Sequence, residues 1–168
     1  MKRAAIVLAV FALAGCGGAS SSAPPVPHGQ LLVSIKIVKR GRQVLALVPV
    51  TIDGKGPWAF ALDTGASQSL VDSSVAKELP VPRTGARQRI AGVDSVSNAP
   101  SIRVTDWRVG NVKLPPTTVV ETNLPFGNAH GGIQGLLGSD MLSRFDVVTI
   151  DYAHSRLLLH QRPVQSGG

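Results

Sequence analysis

The stretch Trp58-Ala59-Phe60-Ala61-Leu62-Asp63-Thr64-Gly65-Ala66-Ser67 constrains this chain more than any other. Its apolar half suits a buried strand, and Thr64-Gly65 marks a tight backbone turn directly after it. Asp63 therefore falls where a core strand breaks into a loop, a place where a charge is costly unless hydrogen bonds or chemistry hold it. Gly65 admits backbone angles closed to other residues and lets another chain come close. The Thr64 and Ser67 hydroxyls have the chemistry to bond the carboxylate or the loop's own backbone. A polar turn at a strand end is the plainer reading of the same residues, and the rest of the chain decides between them.

With 168 residues the expectation is one domain, large enough to bury a core without covalent staples. Val, Leu and Gly abound and 12 prolines punctuate the chain, which favours many short strands over helices. Leu31 to Val38 reads as an apolar-rich strand, and Val44 to Ile52 follows after a turn at Arg40-Gly41-Arg42. Asp53-Gly54-Lys55-Gly56 is a hairpin signal returning the chain into Pro57 to Asp63, so the carboxylate lies on the return arm. Gln68 to Val71 is short and strand-like, and Asp72 is placed to cap a brief helix over Ser73 to Leu79, stopped by Pro80 and Pro82. Arg87 to Ser97 reads as a hairpin turning near Gly92 to Ser95. Ser101 to Thr105, Trp107 to Val109, Val112 to Leu114 and Thr117 to Glu121 are further short strands, with Trp107 a packing residue. Residues 123–134 read as a mobile loop, and Phe145 to Tyr152 with Arg156 to His160 as a last hairpin turning at Ala153-His154-Ser155.

The N-terminus reads as a targeting segment. Lys2 and Arg3 precede an apolar run from Ala4 to Ala14, too short for a comfortable membrane span, and the segment ends Leu13-Ala14-Gly15-Cys16. That ending looks like a bacterial lipobox, which makes Cys16 the lipidated first residue of the mature chain. Residues 1–15 are then a lipoprotein signal peptide, 16–29 a Gly/Ala/Ser/Pro-rich flexible tether, 30–161 the folded domain and 162–168 a disordered tail. The expected location is the bacterial cell envelope, lipid-anchored, on the periplasmic face of a membrane if the cell is Gram-negative. Cys16 is the only cysteine, so its acylation leaves no thiol for a disulfide or metal site. The net charge of +7 falls to +5 once Lys2 and Arg3 are removed, and the remaining basic residues are scattered as on an ordinary solvated surface. Aromatics at 4% argue against stacking platforms for nucleic acid.

A second stretch bears on Asp63: Gly135-Leu136-Leu137-Gly138-Ser139-Asp140. Leu62-Asp63-Thr64-Gly65-Ala66-Ser67 followed later by Leu136-Leu137-Gly138 resembles the retropepsin-like aspartic proteases, the single-lobe family of retroviral proteases and bacterial relatives. The resemblance extends loosely over Val44 to Leu159. It implies an all-β fold, a closed retropepsin-like β-barrel of one lobe with one or two short helices. It also implies Asp63 as the catalytic residue, Thr64, Gly65, Ala66 and Ser67 as the active-site loop, and Leu136, Leu137 and Gly138 as its support. In the family a hairpin in this order is the flap that folds over bound substrate, which by position alone assigns it to Ile90 to Val96, with Ala91, Gly92 and Val93 at its centre.

The chemistry the resemblance implies is peptide hydrolysis by two carboxylates that share one proton, because like charges about 3 Å apart cannot both ionise. This chain has one Asp-Thr-Gly; Asp53-Gly54, Asp72-Ser73 and Asp94-Ser95 lack the residues for a second loop. The dyad then needs a homodimer with Asp63 of each subunit on the two-fold axis. The expected function is an aspartic endopeptidase acting on peptide or protein substrate without metal or organic cofactor; the alternative is the same fold as a non-catalytic envelope lipoprotein binding a peptide or protein partner. Other constellations are weak. His28, His130, His154 and His160 show no zinc-ligand spacing, and Gly65-Ala66-Ser67-Gln68-Ser69 lacks the closing glycine of a serine-hydrolase elbow. Gly132, Gly135 and Gly138 precede no long helix to cradle a phosphate. Asp140 reads as a charge at a helix start or a salt-bridge partner rather than a catalytic group, and Asp146 and Asp151 as exposed or paired positions on the last hairpin.

Overall fold

The computed structural model describes residues 23–91, 96–124 and 132–161. Cys16, the signal segment, the flap positions Gly92 and Val93, the middle of the 123–134 loop and the 162–168 tail lie outside the described residues. The apolar run at Leu31 divides into β1 (Gln30–Ser34) and β2 (Lys36–Arg40), where a single strand was expected. The division falls at Ile35, whose side chain is buried and whose N–H donates to the Ser155 carbonyl at 3.0 Å. That bond ties the chain to the last hairpin and sends β2 to a different sheet from β1.

β3 (Gln43–Ile52) and β4 (Lys55–Leu62) form the hairpin expected from Asp53-Gly54. Both turn residues take positive φ, 49° and 74°, the two-residue turn whose twist matches that of the flanking strands. β5 (Leu70–Asp72) leads into α1 (Ser73–Glu78), capped by Asp72 through the Ser74 N–H at 2.9 Å. Next come β6 (Arg83–Ala91) and β7 (Val96–Val104), β8 (Trp107–Val109), β9 (Val112–Leu114), β10 (Thr117–Thr122) and β11 (Gly135–Leu137). The four-residue α2 (Ser139–Leu142) precedes β12 (Phe145–Asp151) and β13 (Arg156–Gln161).

The larger sheet runs β6-β7-β10-β5-β11-β4-β3-β8-β9, with β2 also paired to β3; the smaller runs β1-β13-β12. Strand alternation turns Val48, Val50, Ile52, Trp58 and Phe60 to the same core as Trp107 and Leu114, and Leu157 and Leu159 of the smaller sheet enter it too. Each such side chain contributes about 1.5–3 kcal/mol on burial, which makes this shared core the main source of stability. Among the described residues no ladder joins β6 to β9 or one sheet to the other. The core is enclosed by packing between two sheets rather than by one continuous hydrogen-bonded barrel.

Residues before β1 are tied to the domain as well. The Arg156 guanidinium donates to the Pro24 carbonyl at 2.8 Å, and the Gln30 N–H to the Pro27 carbonyl at 3.2 Å. Arg156 also grips Asp151 at 2.8 Å, and His154 reaches the same carboxylate from the turn. The Arg156 bonds, working against burial and joined by the His154 backbone and ring, hold the Asp151 carboxyl down to about 2. Burial would raise the Asp72 carboxyl, yet bonds from the Ser74 hydroxyl, the Leu124 N–H and the Ser74 N–H, with Lys77 nearby, bring it below its ordinary value.

Both folded-state values are depressed, so the ionised carboxylates stabilise the fold fully above the unfolded value near ~3.9, and that contribution is lost as pH falls through the folded values. The thermal unfolding midpoint is expected to hold through mildly acidic pH and to drop between about 4 and about 2, the lower bound being the folded value of Asp151. Asp151→Asn should remove part of that drop; an equally steep drop in the variant would clear this turn of the effect.

Candidate active site

β4 delivers Asp63 to the site. β11 is wedged between β4 and β5, parallel to β4 (Leu136 opposite Ala61, Leu137 opposite Leu62) and antiparallel to β5 (Leu136 opposite Leu70). The connection from β4 to β5 must therefore pass over the end of β11, and hydrogen bonds fix it there. The Asp63 N–H donates to the Leu137 carbonyl at 3.1 Å, and the Ala66 carbonyl accepts from the Ser139 N–H at 2.8 Å and the Ser139 hydroxyl at 3.0 Å. Close approach is required at Gly138, where an added Cβ would sit 2.8 Å from the Gln68 carbonyl group and 2.9 Å from the Ala66 oxygen. Gly135 is equally confined, since its Cβ would fall 2.2 Å from the Phe60 ring.

Within the loop, Asp63 Oδ1 accepts the Gly65 N–H at 2.9 Å and the Ala66 N–H at 3.2 Å. Among the described residues Oδ2 makes no hydrogen bond, so the backbone engages one carboxyl oxygen and not the other. Asp63 and Ala66 are half-buried, while Thr64, Gly65 and Ser67 are exposed. Local side-chain bonds from Thr64 and Ser67 were expected here. The loop's own N–H groups take that role, and neither hydroxyl is bonded among the described residues.

Leu136, Leu137 and Gly138 meet the loop in three different ways. Leu137 lies in the main core and supplies its carbonyl, Gly138 touches the loop backbone, and Leu136 faces the other side of the sheet with Ala61 and Leu47. The hairpin expected to carry the flap pairs Ala91 with Val96 and extends back to Arg83, opposite Ile102. It starts four residues earlier than expected because Arg83 is held by Glu121 at 3.1 Å and Thr84 by Ser101 at 2.8 Å.

Two residues with no assigned site role brace the loop. Ser69 is fully buried; its hydroxyl accepts the Gly138 N–H at 3.1 Å and donates to Asp140 Oδ1 at 2.7 Å. Asp140 is in the first turn of α2 as expected, but its carboxylate is spent on Ser69. A serine inside the short strand-like segment Gln68 to Val71 was the available signal, since a buried hydroxyl needs partners. Ser69→Ala leaves the Gly138 N–H unpaired and is expected to cost about 1–3 kcal/mol in denaturant unfolding. A variant as stable as wild type would show that the brace carries no load.

Among the described residues no group of three or more His, Cys, Asp and Glu is placed to hold a metal ion. The arrangement suits carboxyl chemistry: a single acid at a strand end, backed by backbone donors and walled by small residues. Residues 48–141 match the family model described as "Aspartyl protease", and the chain belongs to that family. In three dimensions it is similar to a retropepsin-like aspartic protease from Rickettsia conorii, with 18% identity and a TM-score of 0.52 over 82% of this chain and 95% of that one. At that identity the likeness establishes the retropepsin-like fold. No curated protein matches the sequence.

Proposed function

We propose that this protein is an aspartic endopeptidase whose active site forms when two copies bring their Asp63 side chains together. The observation that carries the reading is Asp63 itself. It is one acid per chain, oriented through Oδ1 by two backbone N–H groups, on a loop whose neighbouring residues are small and exposed. Two such loops can approach closely, and a second carboxyl is the partner the chemistry lacks.

In the dimer one carboxylate takes a proton from a bound water, and the water oxygen attacks the peptide carbonyl carbon. The protonated partner carboxyl donates to the carbonyl oxygen. Collapse of the tetrahedral species breaks the C–N bond, the amine leaves with a proton, and no covalent enzyme intermediate forms. General acid–base help of this kind supplies about 10²–10⁴-fold, with positioning adding more. The brace through Ser69, Gly138 and Ser139 serves that positioning. The test is cleavage of an unfolded polypeptide from acidic to neutral pH together with the mass of the protein in solution; a monomer that cleaves, or a dimer that never does, would defeat the proposal.

The N-terminal features support a lipid-anchored enzyme in the bacterial envelope, attached through Cys16. Fatty-acid labelling of the full chain that disappears in Cys16→Ser is the expected outcome, and labelling that persists would remove Cys16 as the anchor.

A further inference from the structure

The smaller sheet turns one face to the main core, where Leu31, Val33, Leu157 and Leu159 pack. Strand alternation turns the next residues outward. Leu32, Leu158 and Thr149 stand in one row across β1, β13 and β12, with His160 and Val147 on one side of it and Arg156 and Asp151 on the other.

Apolar side chains collect at this end of the molecule. Among the described residues five large hydrophobic side chains are exposed, and four of them are here. Leu32 at 40% and Val147 at 49% lie on the outer face, Val26 on the segment before β1, and Tyr152 in the turn after β12. Such residues scattered singly are ordinary, but gathered on one face they mark an interaction surface. The carboxylate on that face, Asp151, is held by Arg156 at 2.8 Å and by His154 at 2.9 Å, so its charge is matched.

What covers the face follows from where the chain leaves it. Arg156 donates to the Pro24 carbonyl at 2.8 Å, and a Cβ added to Gly29 would sit 3.6 Å from His160 Nε2. The segment 24–29 therefore runs along this sheet from Arg156 to His160, and the chain departs at Pro24. Cys16 lies eight residues before Pro24. Whatever their conformation, eight residues reach no further than about 26–29 Å.

We propose that the outer face of the smaller sheet lies on the lipid surface in which Cys16 is anchored. The inference rests on the Cys16 anchor and is independent of peptide hydrolysis. Removing the exposed halves of Leu32 and Val147 from water favours docking by about 10- to 100-fold. A free protein is not held by so little, because association itself costs more. An anchored chain has already met that cost through its lipid, and a short tether keeps the face at a roughly millimolar effective concentration against the bilayer. Tyr152, an apolar ring with a polar tip, suits the depth of the headgroups.

The test uses the mature full-length chain in vesicles of phosphatidylethanolamine and phosphatidylglycerol, with the mass of its N-terminal peptide measured first. Once Cys16 is acylated, an introduced cysteine is the sole thiol. A fluorophore is attached through Thr149→Cys, exposed on the outer face, or through Val44→Cys, exposed on the larger sheet. The expected result is loss of the Thr149 probe's emission when the lipids carry a nitroxide on their acyl chains, with the Val44 probe unaffected. Leu32→Glu combined with Val147→Glu places two carboxylates on the face and should abolish that loss. Both positions are about half exposed, so the unfolding midpoint should hold, and Val147→Glu alone is the milder check.

Equal quenching of the two probes in an acylated chain, or none in either, would overturn the docking and leave the anchor standing. A Thr149 probe shielded from aqueous iodide yet untouched by the lipid nitroxide would mean that a second copy covers the face, and would overturn it too. A mature chain with no fatty acid on Cys16 would bring down the anchor and the docking together, which the peptide mass tells apart from the other results.

Discussion

Replacing Asp63 with Asn is expected to lower turnover of an unfolded polypeptide by about 10²–10⁴-fold with fold and subunit mass unchanged. The two side chains are nearly the same size, and the Asn carbonyl oxygen can still accept the Gly65 and Ala66 N–H bonds that now reach Oδ1 at 2.9 and 3.2 Å. The loop keeps its shape. What disappears is a group able to take a proton from water or return one to the substrate, and the amide offers neither. Circular dichroism and sedimentation on the same preparation separate this outcome from unfolding. Turnover at the wild-type level in the Asn form would take Asp63 out of the chemistry.

Gly138→Ala should damage activity more than stability. Gly138 has φ of −90°, so the substitution meets no backbone-angle penalty, and the conflict is purely one of space. The new Cβ lands 2.8 Å from the carbonyl carbon and oxygen of Gln68 and 2.9 Å from the Ala66 oxygen, all backbone atoms of the connection from β4 to β5. A flexible side chain could swing aside, but this backbone is pinned, since the Ala66 oxygen already accepts two bonds from Ser139. Overpacking of this kind costs about 1–3 kcal/mol. A catalytic group displaced by about 1 Å loses about 10² in rate, so the loop's shift is amplified in kcat. Unfolding midpoint and kcat measured together on folded protein are the check, and a fully active variant would mean the β11 end does not set the loop.

The local features of this fold were legible because their causes are local. Asp53-Gly54 demanded a tight hairpin, Asp72 offered a cap, and the short strands expected at Trp107 to Val109 and Val112 to Leu114 are β8 and β9. The Asp63 loop was legible for the same reason, as an apolar strand running into small residues. What the residues could not express was set by distant partners. Nothing in Leu31 to Val38 announces a break at Ile35, because the break is made by a bond to Ser155 at the far end of the chain. The wedging of β11 between β4 and β5 is likewise a matter of register between segments about seventy residues apart. The Ser69–Asp140 brace spans the same gap, so Asp140 read as a helix-start charge when its oxygen is committed to a buried hydroxyl. The hairpin of β6 and β7 was expected from Arg87 onward, but its length depended on Arg83 meeting Glu121 from β10.

The account turns on a site assembled from one Asp63 of each of two copies, and mixing subunits tests that directly. Wild-type chain and the Asp63→Asn chain are combined in equal amounts, allowed to exchange, and assayed at fixed total protein. Random pairing makes wild-type dimers about one quarter of the total, and because mixed pairs carry a single acid, activity should fall to about one quarter of the wild-type value. Activity of about one half, tracking the amount of wild-type chain alone, would mean each subunit works by itself and would contradict the shared site.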